Sequence, residues 1–518
     1  MHIDALTLPE GATLDGDLCI VGAGAAGIAM ALEFIGRPER VLLLEGGGFD
    51  LEPQMQALYR GEIVGRPYYP LEAARLHYFG GTTGHWGGFC APLDNIDFEQ
   101  RPWVPHSGWP ITRAQLDPFY ARAQRTLQLG PYEYDAAYWQ QRDARLQRLP
   151  LDPTVVREKM WQFSPPSRFG TLYREPIVSA PNIHLYTHAN VCEIDVNDSV
   201  SAVESLSIRQ HDGRTQRVRA TRFVLACSTL QNVRLLLASN RHATAGVGNA
   251  HDQVGRYFME HLEMAAGNAI ILRPQSLQLY ALDWGVTKAR AELALTDRVQ
   301  RELGLLNATI AIEPAPKSGE AKNTFELEPP ESLESFRRDT PNGLTSDMLA
   351  EAAKTPPHDS ASVVRQPFFA LVTRQEQAPN PNSRITLSTE RDALGVPRVR
   401  FDWQLSSLDK RTMRSSFRAL GEEFGRRGVG RVQLRDWLLS GDTIWPDSLS
   451  GGWHHMGATR MHADPTQGVV DASCQVHGIG NLFVTGGGVF PTAGSANPTL
   501  TIVALALRLA DHLKHTRV

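Results

Sequence analysis

The chain has 518 residues, of which 42% are hydrophobic and 21% are charged, and its net charge is −4 with a pI near 6.5. This composition is typical of a globular protein with about two to four structural units and argues against a disordered chain. The weak negative charge argues against the basic surface that a nucleic-acid partner or a membrane surface would require, whereas neutral or cationic small substrates fit.

The cysteines and the N-terminal segment bear on the cellular compartment. The first sixteen residues lack the basic and apolar segments of a secretory signal, so we expect a cytoplasmic protein. The apolar run from Leu18 to Ile35 contains glycines and Glu33, and it is interpreted as a buried strand and helix rather than a membrane span. The cysteines are scattered without a CxxC pair, so neither a disulfide framework nor a metal site is expected: Cys19, Cys90, Cys192, Cys227 and Cys474.

The first structural unit covers residues 17–46 and has the pattern of strand, glycine turn, helix and strand. Gly22, Gly24 and Gly27 form a GxGxxG motif between the first strand and the helix. In such a motif the first glycine permits a tight turn, the second lets a pyrophosphate approach the backbone, and the third lets the helix pack on the strand. Glu45 ends the next strand, where a carboxylate accepts hydrogen bonds from a ribose. The pattern predicts a dinucleotide site and leaves FAD and NAD both open.

Two further strand-like runs lie far along the chain. Residues 222–228 (RFVLACS) precede a helical stretch, and residues 481–486 (NLFVTG) precede an apolar helix predicted over 499–513. Together with the N-terminal unit they predict one sheet assembled from distant segments. The polar, proline-rich stretch at 315–360 has two interpretations, a surface loop or a lid over a substrate cleft.

Four more segments resemble the glucose–methanol–choline (GMC) family of flavoprotein oxidoreductases. They are the glycine-rich loop at 80–88, the strand-to-helix element at 223–239, the stretch EQAPNPNSRITLS at 376–388, and the C-terminal stretch at 453–513. The resemblance implies FAD as the cofactor and an α/β fold (α+β overall). This implied fold comprises a discontinuous Rossmann-like FAD-binding domain and a smaller substrate-binding domain with a mixed sheet and helices. We assign residues 1–95, 181–270 and 446–518 to the first domain, and residues 96–180 and 271–445 to the second.

The C-terminal stretch carries the residues to which the resemblance assigns the chemistry. In the segment 454–459 (HHMGAT) the family's histidine lies three residues before the glycine, which selects His454, and its partner falls at Asn497. The resemblance implies that a CH–OH group loses a hydride to flavin N5 while His454 removes the hydroxyl proton and Asn497 holds the oxygen. A structural alternative for Asn497 is a cap on the following helix. Four other histidines are interpreted as structural: His261, His455, His462 and His477.

The resemblance also implies a set of cofactor contacts: Gly22, Gly24, Gly27, Glu45, Gly81, Thr82, His85, Trp86, Val191, Gly486, Gly487, Pro498 and Thr499. Two positions depart from the family pattern, because Ser228 stands where a glycine is usual and Gly486 stands where many relatives have Asp. The sequence around His85 and Trp86 is similar to the pyranose 2-oxidase branch, in which a histidine is bonded to the flavin 8α-methyl group. His85 therefore has two interpretations, a covalent link to FAD or a loop histidine packed on the flavin.

The implied activity is the oxidation of an alcohol, and the similarity at residues 85–86 favours a sugar or glycoside hydroxyl as the substrate. One alternative is a GMC-type dehydrogenase for a non-sugar alcohol, and another is a hydroxynitrile-lyase-like flavoprotein that performs no redox reaction. A pocket rich in polar groups would favour the sugar. The electron acceptor stays open between oxygen and a quinone or redox protein. No nucleic-acid partner and no membrane span are expected.

Overall fold

The computed structural model describes residues 1–165, 167–271, 277–281, 289–314 and 368–516. The stretch at 315–360, interpreted above as a surface loop or a lid, lies outside these residues. Among the described residues, no helix combines the length and the apolar character that crossing a membrane requires.

The described residues form strands in three sheets, with helices packed around them. In chain order the strands are β1 His2–Asp4, β2 Thr13–Val21, β3 Val41–Leu44, β4 Gly61–Ile63, β5 Phe89–Cys90, β6 Val156–Phe163, β7 Ile183–Thr187, β8 Val191–Val196, β9 Val203–Arg209, β10 Thr215–Leu225, β11 Leu262–Ile271, β12 Ala289–Leu295, β13 Ala308–Pro314, β14 Phe368–Gln375, β15 Arg384–Arg391, β16 Pro397–Asp402, β17 Gly430–Leu434, β18 Ser450–Gly451 and β19 Leu482–Val484. The α-helices are α1 Ala25–Leu32, α2 Pro53–Gln56, α3 Leu71–Ala74, α4 Asn95–Phe98, α5 Arg113–Thr126, α6 Ala136–Arg142, α7 Phe169–Leu172, α8 Arg174–Ser179, α9 Thr229–Ala238, α10 Asp297–Leu303, α11 Ser407–Arg426, α12 Asp436–Leu439 and α13 Thr499–His515. Short 3-10 helices lie at Ala5–Thr7, Ala57–Tyr59, Gly81–Gly84, Gln278–Tyr280 and Gly487–Val489.

The first sheet is mainly parallel and has the order β1-β7-β3-β2-β10-β9-β8, with β19 paired to β10. Strands β1, β7, β3, β2, β10 and β19 run parallel, while β9 runs antiparallel to both of its neighbours, β10 and β8. Residues 18–21 of β2 and all of β3 are buried, as parallel strands covered on both faces require. Helices α1 and α13 pack together. The prediction of one sheet built from segments near residues 20, 42, 224 and 483 is confirmed.

The second sheet is antiparallel and has the order β17-β11-β14-β13-β12-β6-β5, with β18 paired to β11. Helix α11 packs against β17, β11 and β13. Strands β5, β11 and β18 pair in this sheet, although the predicted FAD-binding segments 1–95, 181–270 and 446–518 contain nearly all of their residues. The domain division stays a prediction. A third, smaller sheet has the order β15-β16-β4.

The pairing of β11 with β18 brings two distant segments together. Leu262 lies opposite Gly451, and Met259 forms an isolated antiparallel bridge with Met456. The chain around residue 261 therefore runs beside the chain around residue 454.

Candidate active site

A cavity of about 960 Å³ lies at the carboxyl ends of β2, β3, β10 and β19. This is the edge at which open parallel α/β sheets bind ligands, and the volume is near the upper end for ligand pockets, which is roughly 1,000 Å³. Every residue predicted above to contact the cofactor lines this cavity except Gly27, and His454 and Asn497 line it as well. Segments from both ends of the chain therefore build one site.

The glycine turn after β2 has three different environments. Gly22 has a φ of +100°, and a Cβ there would lie 2.7 Å from the carbonyl oxygen of Ala226, so only glycine fits. A Cβ on Gly24 would meet nothing within 4 Å, which leaves the N-terminus of α1 open to the cavity. A Cβ on Gly27 would lie 1.9 Å from the carbonyl oxygen of Gly22, so Gly27 packs the helix against the turn and does not reach the cavity.

Glu45 at the end of β3 has a structural contact that the sequence analysis missed. Its side chain is buried, Oε2 accepts a hydrogen bond from the Ala23 N–H at 2.9 Å, and Oε1 accepts one from the Gly47 N–H at 3.2 Å. The carboxylate thus connects the glycine turn to the turn after β3. A carboxylate offers about four acceptor sites, so lone pairs remain for the ribose hydroxyls of a dinucleotide.

Ser228 shows what the departure from the family pattern does to the backbone. It precedes α9 with φ of +82° and ψ of +162°, a conformation that essentially only glycine adopts without strain. Its Oγ is buried, lines the cavity and has no hydrogen-bond partner among the described residues. A buried hydroxyl without a partner fits a site whose ligand supplies one, as a bound dinucleotide would. The residues around the glycine turn therefore fit FAD.

Glu260 holds the backbone at two histidines. Its side chain is fully buried, and Oε1 accepts hydrogen bonds from the N–H groups of His454 at 2.7 Å and His261 at 2.9 Å. Oε2 accepts from the hydroxyls of Tyr68 at 2.5 Å and Tyr69 at 3.1 Å. Burial raises the pKa of Glu260 to about 7. This carboxyl fixes the loop that carries His454 against the start of β11.

Asn497 is positioned by a tryptophan of the second sheet. Its Oδ1 accepts a hydrogen bond from Trp161 Nε1 at 2.9 Å, so the amide nitrogen Nδ2 faces His454 Nε2 at 3.1 Å. Helix α13 has Pro498 at its N-cap and no side-chain cap bond. The interpretation of Asn497 as a helix cap is therefore wrong, and the structure brings His454 and Asn497 together as a pair.

His454 is uncharged near neutral pH. Burial lowers the pKa of its imidazole well below the usual 6.5, and the nearby His261, Arg374, Arg75 and His455 lower it further. The side chain nevertheless stays 15% exposed, which leaves one edge open to the cavity. A neutral imidazole at a cavity wall has a lone pair that can accept a proton.

Charged side chains form the cavity wall beside His454. Arg374 donates from Nε to Glu263 at 2.8 Å and from Nη1 to Glu292 at 3.3 Å, and its guanidinium carbon lies 5.5 Å from the ring centres of Phe89 and Trp161. Glu263 and Arg374 both line the cavity. No sequence motif marks either residue, because only strand pairing brings them to the site.

The loop that carries His85 is anchored from the side away from the cavity. Trp86 Nε1 donates to the carbonyl of Ser167 at 3.1 Å, and Arg168 donates to the carbonyls of Thr83 and Trp86 at 3.1 and 3.0 Å. His85 lines the cavity, and burial lowers its pKa to about 4. A neutral His85 at the cavity is compatible with both interpretations given above, and both stay predictions.

The remaining histidines differ in their distance from the site. His455 is buried with Nε2 at 3.0 Å from the Tyr68 hydroxyl, and His462 and His477 contact backbone carbonyls away from the cavity. These contacts agree with structural roles. His261 is also buried, but its Nδ1 lies 2.9 Å from Nδ1 of His454.

Comparison with known proteins gives the class. Residues 379–506 match the family model described as GMC oxidoreductase. The 6'''-hydroxyparomomycin C oxidase of Streptomyces lividus is 25% identical over 97% of this chain and 92% of its own length. The C-glycoside 3-oxidase of Microbacterium trichothecenolyticum is 26% identical over 84% of this chain and 74% of its own length. The crystal structure of a formate oxidase has the same fold, with a TM-score of 0.56, 15% identity, and coverage of 98% and 99% of the two chains.

These findings agree with the GxGxxG turn and the parallel sheet. The chain carries the GMC oxidoreductase domain over residues 379–506 and is similar over nearly its whole length to the Streptomyces lividus oxidase. It is an FAD-dependent oxidoreductase that acts on alcohol groups, which confirms the fold, cofactor and reaction class expected from the sequence.

Proposed function

We propose that this enzyme oxidises a hydroxyl group of a sugar or glycoside, with His454 as the base and Asn497 as its partner. The observation that carries the proposal is the pairing of His454 Nε2 with Asn497 Nδ2 at 3.1 Å, beside the charged wall of Glu263 and Arg374. FAD bound at the glycine turn supplies the acceptor for the hydride.

The two side chains divide the work on the alcohol oxygen. A CH–OH carbon gives up a hydride readily only if its hydroxyl proton also leaves, and a neutral His454 can accept that proton. Asn497 Nδ2 donates to the same oxygen and stabilises the negative charge that develops on it. Trp161 holds Asn497 Oδ1. The amide nitrogen therefore already points to the position where the alcohol oxygen is proposed to bind.

The charged wall supports the sugar over an apolar alcohol. Glu263 and Arg374 pair with each other, and the carboxylate oxygens and N–H groups that this pair leaves over can bind the several hydroxyls of a sugar, whereas an aliphatic alcohol offers only one. The relative named C-glycoside 3-oxidase has a glycoside substrate by its name. A non-sugar alcohol stays the runner-up, and a lyase-like reaction without flavin reduction is the third alternative.

The proposal leaves the electron acceptor open between oxygen and a quinone or redox protein. We also propose a cytoplasmic location, which the five unpaired cysteines support.

The covalent link between His85 and FAD can be tested directly. Acid-precipitated protein stays yellow if the link exists, and His85→Ala then releases the flavin, whereas a colourless wild-type pellet excludes the link.

Anaerobic mixing with a panel of sugars, glycosides and simple alcohols tests the reaction. We expect a sugar or glycoside to bleach the flavin absorbance, and admission of air then shows whether oxygen is the acceptor. Bleaching by aliphatic alcohols alone would contradict the substrate class. Absence of bleaching with every compound, together with turnover of a cyanohydrin, would favour the lyase.

Variants at the pair test the roles. His454→Ala should retain FAD and slow flavin reduction by at least ~10²-fold, the lower end of what a positioned base contributes. Asn497→Ala should slow flavin reduction less than His454→Ala does, because Asn497 donates to the oxygen rather than accepting the proton. His462→Ala, which lies away from the cavity, is the control and should match the wild type. Normal reduction in His454→Ala would end the proposal.

A further inference from the structure

His261 is fixed by two contacts that define where its hydrogen lies. Its Nε2 lies 2.9 Å from the carbonyl oxygen of Gly494, and its Nδ1 lies 2.9 Å from Nδ1 of His454. A carbonyl oxygen only accepts, so Nε2 of His261 must carry a hydrogen and donate it. Burial lowers the pKa of His261 to about 3, so its ring holds only that one hydrogen near neutral pH. His261 Nδ1 is therefore a lone-pair acceptor.

We infer that His261 is a positioning residue that fixes the tautomer of His454, and this inference rests on the proposed role of His454 as the base. Because His261 Nδ1 offers only a lone pair, the nitrogen facing it, His454 Nδ1, must donate a hydrogen. A neutral imidazole has one N–H group, so the lone pair of His454 is on Nε2. This is the nitrogen beside Asn497, where the alcohol oxygen is proposed to bind.

The contacts on the Nε2 side of His454 independently indicate the same tautomer of His454. The indole Nε1 of Trp161 is only a donor, so it identifies its partner atom on Asn497 as the amide oxygen. The atom of Asn497 that lies 3.1 Å from His454 Nε2 is then the amide nitrogen, which is only a donor. His454 Nε2 must therefore accept. The donors run in one direction from Trp161 and Asn497 to His454, and from His454 through His261 to Gly494.

The charged groups around His454 do not compete for its Nδ1 hydrogen. Glu263 Oε1 lies 3.7 Å from Nδ1, beyond hydrogen-bond distance, and Arg374 holds that carboxylate. Glu260 accepts a hydrogen bond from the backbone N–H of His454 and not from its imidazole. Arg75 and His455 lower the pKa of His454 through space, and Arg75 donates to backbone carbonyls. Among the described residues, His261 is the acceptor at this position.

Two substitutions at His261 separate the loss of its hydrogen-bond acceptor from a change in its packing. His261→Leu fills similar space and cannot accept a hydrogen bond, so His454 should populate both tautomers. His261→Asn places Oδ1 near the position of the imidazole Nδ1 and should keep the acceptor. Neither substitution touches the FAD-lining glycine turn, so both variants should retain FAD.

The decisive measurement is nitrogen NMR of the FAD-loaded protein labelled with 15N-histidine, with His454 assigned from the spectrum of His454→Ala. We expect His454 to be protonated at Nδ1 and unprotonated at Nε2 in the wild type and in His261→Asn, and to be a mixture in His261→Leu. Flavin reduction at saturating substrate should fall at least ~10-fold in His261→Leu with little change in KM, and should recover to within ~3-fold of the wild type in His261→Asn.

A protonated Nε2 in the wild type would overturn the inference, and so would equal slowing in the Asn and Leu variants or a wild-type rate in His261→Leu. If His261→Leu does not fold, the wild-type spectrum decides alone. A failure of the proposed function has a different signature, because His454→Ala would then reduce flavin normally while the measured tautomer would be unaffected.

Discussion

Trp161 orients the side-chain amide of Asn497 from a position 336 residues away in the chain. Trp161→Phe keeps the ring and removes the donor to Asn497 Oδ1, so the amide should lose its fixed orientation. A neutral hydrogen bond contributes ~1 kcal/mol, and we expect flavin reduction to slow about fivefold with FAD retained. Stopped-flow reduction under anaerobic conditions measures this effect.

The control for Trp161→Phe is Trp103→Phe. Trp103 Nε1 donates to the carbonyl of Leu305 at 2.9 Å, away from the cavity, so this variant loses an equivalent bond without touching Asn497. Equal rates of reduction in the two variants would show that Trp161 has no role in orienting the amide.

The pH dependence of reduction follows from the burial of His454. The base must be neutral to accept a proton, and its pKa is lowered, so the neutral form persists as the pH falls below 6.5. We expect the rate constant of reduction at saturating substrate to stay level from pH 8 to pH 6 and to fall only in more acidic solution. A midpoint near 6.5, the usual value for histidine, would contradict the burial argument.

Glu260, whose carboxyl contacts the backbone of His454, has a pKa raised to about 7 and therefore titrates between pH 8 and pH 6. Glu260→Gln identifies its contribution, because the amide oxygen still accepts from the His454 N–H but does not titrate. An inflection near pH 7 that disappears in this variant belongs to Glu260, whereas one that remains belongs to another group.

The start of α9 contains backbone strain, since Ser228 occupies a conformation suited to glycine. Ser228→Gly removes the clash of the Cβ, and the lost Oγ makes no hydrogen bond within the described residues. We expect the free energy of unfolding of the FAD-free protein to rise by about 1 kcal/mol, the lower end of the strain at such positions. Denaturant unfolding measures it, and Thr229→Gly, at the first residue of α9, should be destabilising instead because it loses the buried bond from Oγ1 to the His455 carbonyl.

The turn after β3 depends on Glu45 for both folding and cofactor binding. Glu45→Ala should weaken FAD retention, because charge-assisted bonds are worth ~1.5–3 kcal/mol each. It should also loosen the contact with the Ala23 N–H, so some stability is lost as well. Flavin content after dialysis measures retention, with Glu204→Ala, an exposed carboxylate on β9, as the control. Full occupancy in Glu45→Ala would contradict the assignment.

The sequence predicted the elements whose residues are neighbours along the chain. The glycine turn, the strands of the first sheet and the His454 motif all lie within short segments with their own patterns. Glu263 and Arg374 reach the site only through the pairing of β11 with β14 and β18, and pairing between distant strands leaves no mark in local sequence. The contact of His261 with His454 leaves no mark either, because the bridge between Met259 and Met456 brings the two histidines together.

At the scale of the whole molecule, the cavity is lined by segments from residue 21 to residue 502. A ligand that binds only the folded chain stabilises it by mass action, by about 2.7 kcal/mol at a hundredfold excess over Kd. We therefore expect removal of FAD to lower the Tm and added FAD to restore it. FMN lacks the adenosine that Glu45 would contact and should restore less. An unchanged Tm after FAD removal would contradict a cofactor that bridges these segments.

The position of β19 also sets the order of events during synthesis. The glycine turn and β10, the partner of β19, are translated long before β19, and Asn497 is translated after it. A chain emerging from the ribosome therefore contains the glycine turn long before the residues that complete the site. Since domains fold as they emerge from the N-terminal side, stable capture of the flavin must wait until these late residues arrive. We therefore expect a protease to cut full-length chains that lack FAD at the glycine-rich loops more readily than FAD-loaded chains.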